Sequence, residues 1–140
     1  TTQTAAVINT AYGITFNTTD VSWGVTIGSP ASRLYVDRPG YYRIDAFVRF
    51  NKTGGAGGTA TVWLRKNGTD LAGTGVTVYV TTTNPVTSQL MPYVLQLAAG
   101  DYVEVLWAAT DTAIQAFPVA AAAPYPAIPS ARVRITNITG

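Results

Sequence analysis

Apolar and polar side chains alternate with period two along much of this chain. The clearest run is YYRIDAFVRFN, residues 41–51. Tyr42, Ile44, Ala46, Val48 and Phe50 fall on one face of an extended chain, and Arg43, Asp45, Phe47 and Arg49 on the other. This predicts a strand with one buried face. Similar runs predict strands at 12–16 (YGITF), 33–37 (RLYVD), 59–68 (TATVWLRKNG), 76–81 (VTVYVT), 87–98, 102–108 and 131–138 (ARVRITNI). A strand over 87–98 is broken, or lies at a sheet edge, near Pro92, which has no backbone N–H to give a ladder.

Turn chemistry separates these runs. Pro39 and Gly40 in RPGYY, 38–42, launch the longest strand. KTGGAGG, 52–58, is a flexible loop. Asn67-Gly68 is a strong hairpin signal. TTNP and Ala99-Gly100-Asp101 mark two further turns. DTAIQAF, 111–117, reads as either a short strand or a wide loop. PVAAAAPYPAIPSA, 118–131, contains four prolines. They rule out a helix through the alanines and predict an extended, largely polyproline-like loop packed on the surface. About eight to ten short strands with turns between them, and no internal repeat or linker, predict one all-β domain over 1–140, a sandwich or jelly roll.

Composition agrees. Glu and Met each occur once and Lys twice, while Thr, Val, Gly and Tyr are plentiful, so helix formers are scarce. Charged residues make up 11% of the chain, against about 25% in ordinary domains. There is no cysteine, and so no disulfide or thiolate metal site. There is no histidine either, which removes the commonest general base and metal ligand. The net charge of +2 is scattered and leaves no footprint for nucleic acid. No apolar run reaches the roughly 20 residues that cross a bilayer. The N-terminal TTQTAAVINT lacks the pattern of a signal peptide. Thr1 fits a protein made in the cytoplasm that has lost its initiator Met, and equally a piece cut from a longer one.

Asp101 and Glu104 stand close together in LQLAAGDYVEVLWAA, 95–109. On a strand an odd spacing points them to opposite faces, so they do not converge as an acid/base pair. Asp101 reads as a turn residue bonding local backbone. Glu104 is expected to pair with an Arg on a neighbouring strand, while Val103, Val105 and Trp107 fill the core. Asp20, Asp37, Asp45, Asp70 and Asp111 form no calcium-loop pattern, although a site assembled from separate loops is not addressed by such a pattern. No G-x-S-x-G elbow is present, and GGAGG is followed by neither Lys-Ser/Thr nor a helix. The Asn-x-Thr sequons at Asn17, Asn51, Asn67 and Asn137 are what a Thr-rich chain produces by chance. The expectation is a non-enzymatic protein with no cofactor or metal.

Several segments together resemble one family. SRLYVDRPGYYRIDAFVRF, VWLRKNGT and LQLAAGDYVEVLW are similar to its central strands and turns. GITFNTTDVS is similar to its opening strand, and PSARVRI to its closing one. Their order and spacing agree across nearly the whole chain. The family is the jelly-roll superfamily of complement globular heads and tumour-necrosis-factor-like domains, in the version carried by tailed-phage virion proteins. The resemblance implies a ten-strand, two-sheet antiparallel jelly roll that assembles as a homotrimer without enzymatic activity.

Within that resemblance, trimerisation is expected to bury the outward face of the sheet containing 41–51 and 131–138. This face carries Arg43, Asp45, Phe47, Arg49, Arg132 and Arg134, with Phe47 as an aromatic anchor among compensating charges. Tyr93, and with it Tyr12, Phe16 and Leu95, are secondary candidates. The segment 118–131, with Pro118, Pro124, Tyr125, Pro126 and Pro129, is more apolar than the resemblance leads one to expect. It is either a contact surface for a neighbour or a loop packed on its own domain. The chain starts close to its first strand and ends at its last, with no shaft or stalk. That favours a capsid decoration (cement) protein on the phage head surface, with the major capsid protein lattice as partner. The alternative is a receptor-binding knob of a fibre or tail, contacting a host receptor. A secreted ligand needs an export signal, which is not seen.

Overall fold

The computed structural model describes residues 1–139. Twelve strands follow one another: β1 (Gln3–Thr4), β2 (Tyr12–Gly13), β3 (Val25–Ile27), β4 (Leu34–Val36), β5 (Gly40–Lys52), β6 (Gly58–Lys66), β7 (Thr69–Asp70), β8 (Val76–Val80), β9 (Val86–Leu97), β10 (Tyr102–Ala109), β11 (Ile114–Ala116) and β12 (Ala131–Asn137). They form two antiparallel sheets. In the first, β5 is central, with β9 along one side and β12 then β11 along the other, and β1 pairs with β11. In the second, the order is β3-β4-β10-β6-β7, with β2 also on β10 and β8 also on β6. The chain crosses repeatedly between the sheets, from β1 to β2, β4 to β5, β5 to β6, β8 to β9, β9 to β10 and β10 to β11. The result is an all-β, jelly-roll-like sandwich.

The core forms where the two alternating faces meet. On β5, Tyr42, Ile44, Ala46, Val48 and Phe50 are all buried, as the alternation requires. On β10, Val103, Val105 and Trp107 face them. The Phe50 and Trp107 rings lie 5.4 Å apart between the sheets, and Tyr12 adds a tilted contact to Trp107 at 6.4 Å. Lys52 ends β5 on this same inner face. Its side chain is fully buried, and its ammonium meets Asp111 at 2.8 Å and the Gly54 carbonyl. The loop 52–58 is therefore anchored at its base.

Most predicted runs appear with shifted ends. The run at 12–16 shrinks to Tyr12–Gly13, although Ile14 N–H still bonds the Val105 carbonyl and Phe16 N–H the Ala31 carbonyl. Of the two readings of 111–117, the short strand is present as β11. The two-residue strands β1 and β7, and the hairpin partner β3, carry too short a pattern to be read. Pro92 sits in β9, which has a ladder partner on one side only among the described residues. There the register slips: Ile44 pairs with Tyr93 and Ala46 with Leu90, so Met91 and Pro92 together oppose Asp45. An edge and a bulge are where a strand tolerates proline.

Two expectations are corrected. Glu104 lies opposite Arg65 in the ladder, but Arg65 is held by Asp70 at 2.7 Å. Glu104 instead accepts a hydrogen bond from the buried Ser32 hydroxyl at 2.7 Å. Gly13 leaves room for this contact, since a Cβ there would stand 2.7 Å from the Ser32 Cβ. The middle of the segment 118–131 is not laid on the domain, although its two ends are packed. It folds back on itself, with Val119 and Ile128 exchanging backbone bonds of 2.9 Å and Ala122 and Tyr125 pairing at the tip. Every residue from 120 to 127 is exposed. Val119 and Ile128, and Ala122 and Tyr125, satisfy one another's carbonyl and N–H groups, and the exposed groups between them are open to water.

Asp101 joins two turns. Asn67 and Gly68 both have positive φ, 49° and 83°, as a two-residue hairpin turn requires. Asn67 Nδ2 donates to Asp101 Oδ1 at 3.0 Å, and Asn67 Oδ1 accepts from Tyr102 N–H at 2.9 Å. Asp101 Oδ2 accepts from Ala98 N–H at 2.8 Å. These bonds, first from Ala98 and then from Asn67, hold the Asp101 carboxyl below its ordinary value of 3.8. The carboxyls of Asp70, beside Arg65 and Trp63, and of Asp111, beside Lys52, are lowered as well. A lowered folded-state pKa contributes stability above the unfolded value and loses it as pH falls further. The melting temperature is therefore expected to hold from neutral pH down to about pH 4 and to fall below it. Asp101→Asn should lower the melting temperature at pH 7 and make the acid fall shallower. An unchanged acid limb in that variant would remove Asp101 from this account.

Candidate interaction surface

The outer face of the β9-β5-β12 sheet can be laid out row by row from its register. Gln89, Phe47 and Arg132 form one row; Met91 and Pro92, Asp45 and Arg134 the next; Val94, Arg43 and Thr136 the third. Tyr41 follows with Gln96, and Arg49 lies at the opposite end beside Thr87. The face therefore has three columns of different character. The β12 column is basic, the β5 column mixes charge with an aromatic ring, and the β9 column carries no charge.

Asp45 organises the charges. It accepts from Arg134 Nη2 at 2.9 Å and Nε at 3.2 Å, and Arg43 Nε lies 3.4 Å away. The guanidinium groups are partly open to solvent, with side-chain exposures of 69% for Arg134 and 47% for Arg43, against 22% for Asp45. Arg132 reaches out of the sheet to Asp20 at 3.2 Å, which ties the loop before β3 to this edge. Arg49 lies over the Phe117 ring, 5.1 Å from its centre. Phe47 is half-buried and lines a shallow depression of about 200 Å³ with Asp45, Gln89, Arg132 and Arg134.

Alternation thus brings together Arg43, Asp45, Phe47, Arg49, Arg132 and Arg134 on one face. Tyr93 does not join them. It pairs with Ile44 on the inner side and packs against the core, as do Leu95, Tyr12 and Phe16. The outward residues of β9 are Gln89, Met91 and Val94, of which Met91 is 82% and Val94 52% exposed. The sequence holds a partial signal for them. Val94 alternates against Tyr93 and Leu95, but the bulge at Met91–Pro92 resets the phase, and the register to β5 is not written in β9 alone.

Pro118, Pro124, Tyr125, Pro126 and Pro129 lie on the arm joining β11 to β12, close to the Arg132 end of the face. Pro118 is half-buried at the base. Pro124, Tyr125 and Pro126 form the exposed tip, and Pro129 precedes the buried Ser130, whose carbonyl accepts from Arg49 N–H at 2.8 Å. The arm lies within a run without charge, residues 112–131, and a second such run, 71–100, spans β8 and β9. The charged residues all lie outside these two stretches.

No group of three or more His, Cys, Asp or Glu side chains that would hold a metal ion occurs among the described residues. What the face offers is shape, an aromatic ring and fixed charges. Because the Asp45 pairs are part-exposed, Asp45→Ala should change folding stability by less than about 1 kcal/mol. Denaturant unfolding measures this, and a substantially larger loss would make Asp45 a fold determinant and not a surface group.

No protein-family model matches the chain, and no curated protein is significantly similar to it.

Proposed function

We propose that this chain is a non-enzymatic structural protein of a virion: a trimeric decoration (cement) protein that stabilises a tailed-phage head. The observation that carries the reading is the outer face of the β9-β5-β12 sheet. A half-buried aromatic ring sits at its centre with arginines and one aspartate around it. That is the composition of a protein contact, where aromatic and Arg side chains supply the anchors and the surrounding groups exclude water. The jelly-roll-like strand order and the ordered resemblance of five segments to phage-borne jelly-roll domains support the same reading. In the trimer, Phe47 and its neighbours face the other copies, and the remaining apolar surface meets the major capsid protein lattice.

The second reading, a receptor-binding knob, draws on the loop before β3. Trp23 is 85% exposed and Val21 88%. An indole face open to solvent suits stacking against a sugar ring or another apolar group of a host receptor.

Two measurements decide. Phe47→Asp places a carboxylate at the centre of the face without touching the core, so it should fold and yet sediment as a monomer where the parent chain sediments as a trimer. A folded variant that stays trimeric removes Phe47 from the interface. The purified chain should also bind emptied capsids of the phage that encodes it and protect them against heat or chelator. Failure to bind capsids, with binding to host cells instead, would overturn the cement reading in favour of the knob.

A further inference from the structure

The uncharged arm and the uncharged β9 column lie on opposite sides of the same sheet. The arm leaves the sheet between β11 and β12, on one side of β5. Gln89, Met91 and Val94 lie on the other side of β5. Both surfaces expose apolar groups that their own domain does not cover: Tyr125 at 48% with its alanines and prolines on the arm, and Met91 at 82% with Val94 at 52% on β9. The neighbouring β12 column is basic, with Arg132 and Arg134.

From this arrangement we propose that the arm is an exchange element between copies of this chain, its Tyr125 tip lying on the Met91–Val94 surface of the next copy. The occupant follows from electrostatic match and position. Arg132 and Arg134 already hold Asp20 and Asp45 of their own chain, and the β9 column offers no charge to an acidic partner. The arm brings no charge of its own, so laying it on Met91 and Val94 buries no charge from the arm, and the Asp45 and Arg43 of the same rows already hold each other. Arm and receptor lie on different edges, so the contact is head-to-tail. Such a contact is heterologous, and it closes into a ring when each copy gives its arm to one neighbour and receives one from the other. The inference deepens the trimer reading and rests on copies meeting around the outer face of this sheet.

The contact is specific enough to map by cross-linking, because the chain has no cysteine of its own. Tyr125→Cys and Met91→Cys are both exposed substitutions and are made as two separate single variants. Mixed and mildly oxidised, they should give disulfide-linked mixed dimers well in excess of either variant alone. Independently, Tyr125→Asp should weaken self-association measured by sedimentation about tenfold or more, as loss of an aromatic anchor does. If the parent chain assembles, Phe47→Asp dissociates it, and the mixed disulfide does not form, the arm proposal is overturned while the trimer reading stands. If the parent chain is monomeric at all concentrations, the trimer reading fails and takes the arm exchange with it.

Discussion

The contact between Phe50 and Trp107 sets the rest of the molecule. Each ring comes from a different sheet, and each is fully buried. Once Phe50 faces Trp107, the two-residue repeat of β5 leaves no freedom. Tyr42, Ile44, Ala46 and Val48 must follow it inward, and Arg43, Asp45, Phe47 and Arg49 must face out. The ladder with β12 then carries the same phase to Arg132 and Arg134. A slip of one residue would bury four arginines and expose the core, so the interface candidates are a consequence of how the core closes.

Charge is distributed in a way that the fold alone does not demand. Lys52 is the one charged side chain that faces the core among the described residues, and Asp111 with the Gly54 carbonyl accompanies it there. The other cations are partly or largely exposed, and four of them cluster on one sheet face beside Asp45 and Asp20. Long stretches elsewhere have none. A sandwich needs polar groups outside for solubility, but Thr, Ser and Gln meet that need here. Four arginines are thus concentrated around Phe47, where carboxylates hold Arg43, Arg132 and Arg134 and the Phe117 ring underlies Arg49.

What was legible in the sequence follows from physics that acts within one strand. Side-chain alternation belongs to a single segment, so the faces of β5 and β12 could be read without knowing their partners. Asn67-Gly68 and Gly100-Asp101 could be read because the turn chemistry is local. The failures lie where a distant part of the chain decides. Glu104 bonds Ser32, 72 positions away, because Asp70 had already taken Arg65. Tyr93 faces the core because of a bulge visible only in the pairing of β9 with β5. The arm's prolines correctly ruled out a helix, but whether the arm lies on the domain or stands away from it depends on hydrogen bonds between residues on its two sides.

The standing arm needs a physical justification, because exposed apolar surface is unfavourable in water and unpaired strands invite aggregation. Its composition answers both points. Four prolines interrupt its N–H groups, so it cannot template a continuous ladder with another chain. The same prolines, with the paired bonds at Val119–Ile128 and Ala122–Tyr125, restrict the arm before any partner arrives. An element ordered in advance loses little conformational entropy on docking, so more of the gain from covering alanine, proline and tyrosine appears as affinity. A loop with no partner would be better made of glycine and charge, as 52–58 is made largely of glycine at the same end of β5, a few residues from Arg49, where the arm is rooted. The contrast between these two loops argues that the arm is shaped for a surface outside its own domain.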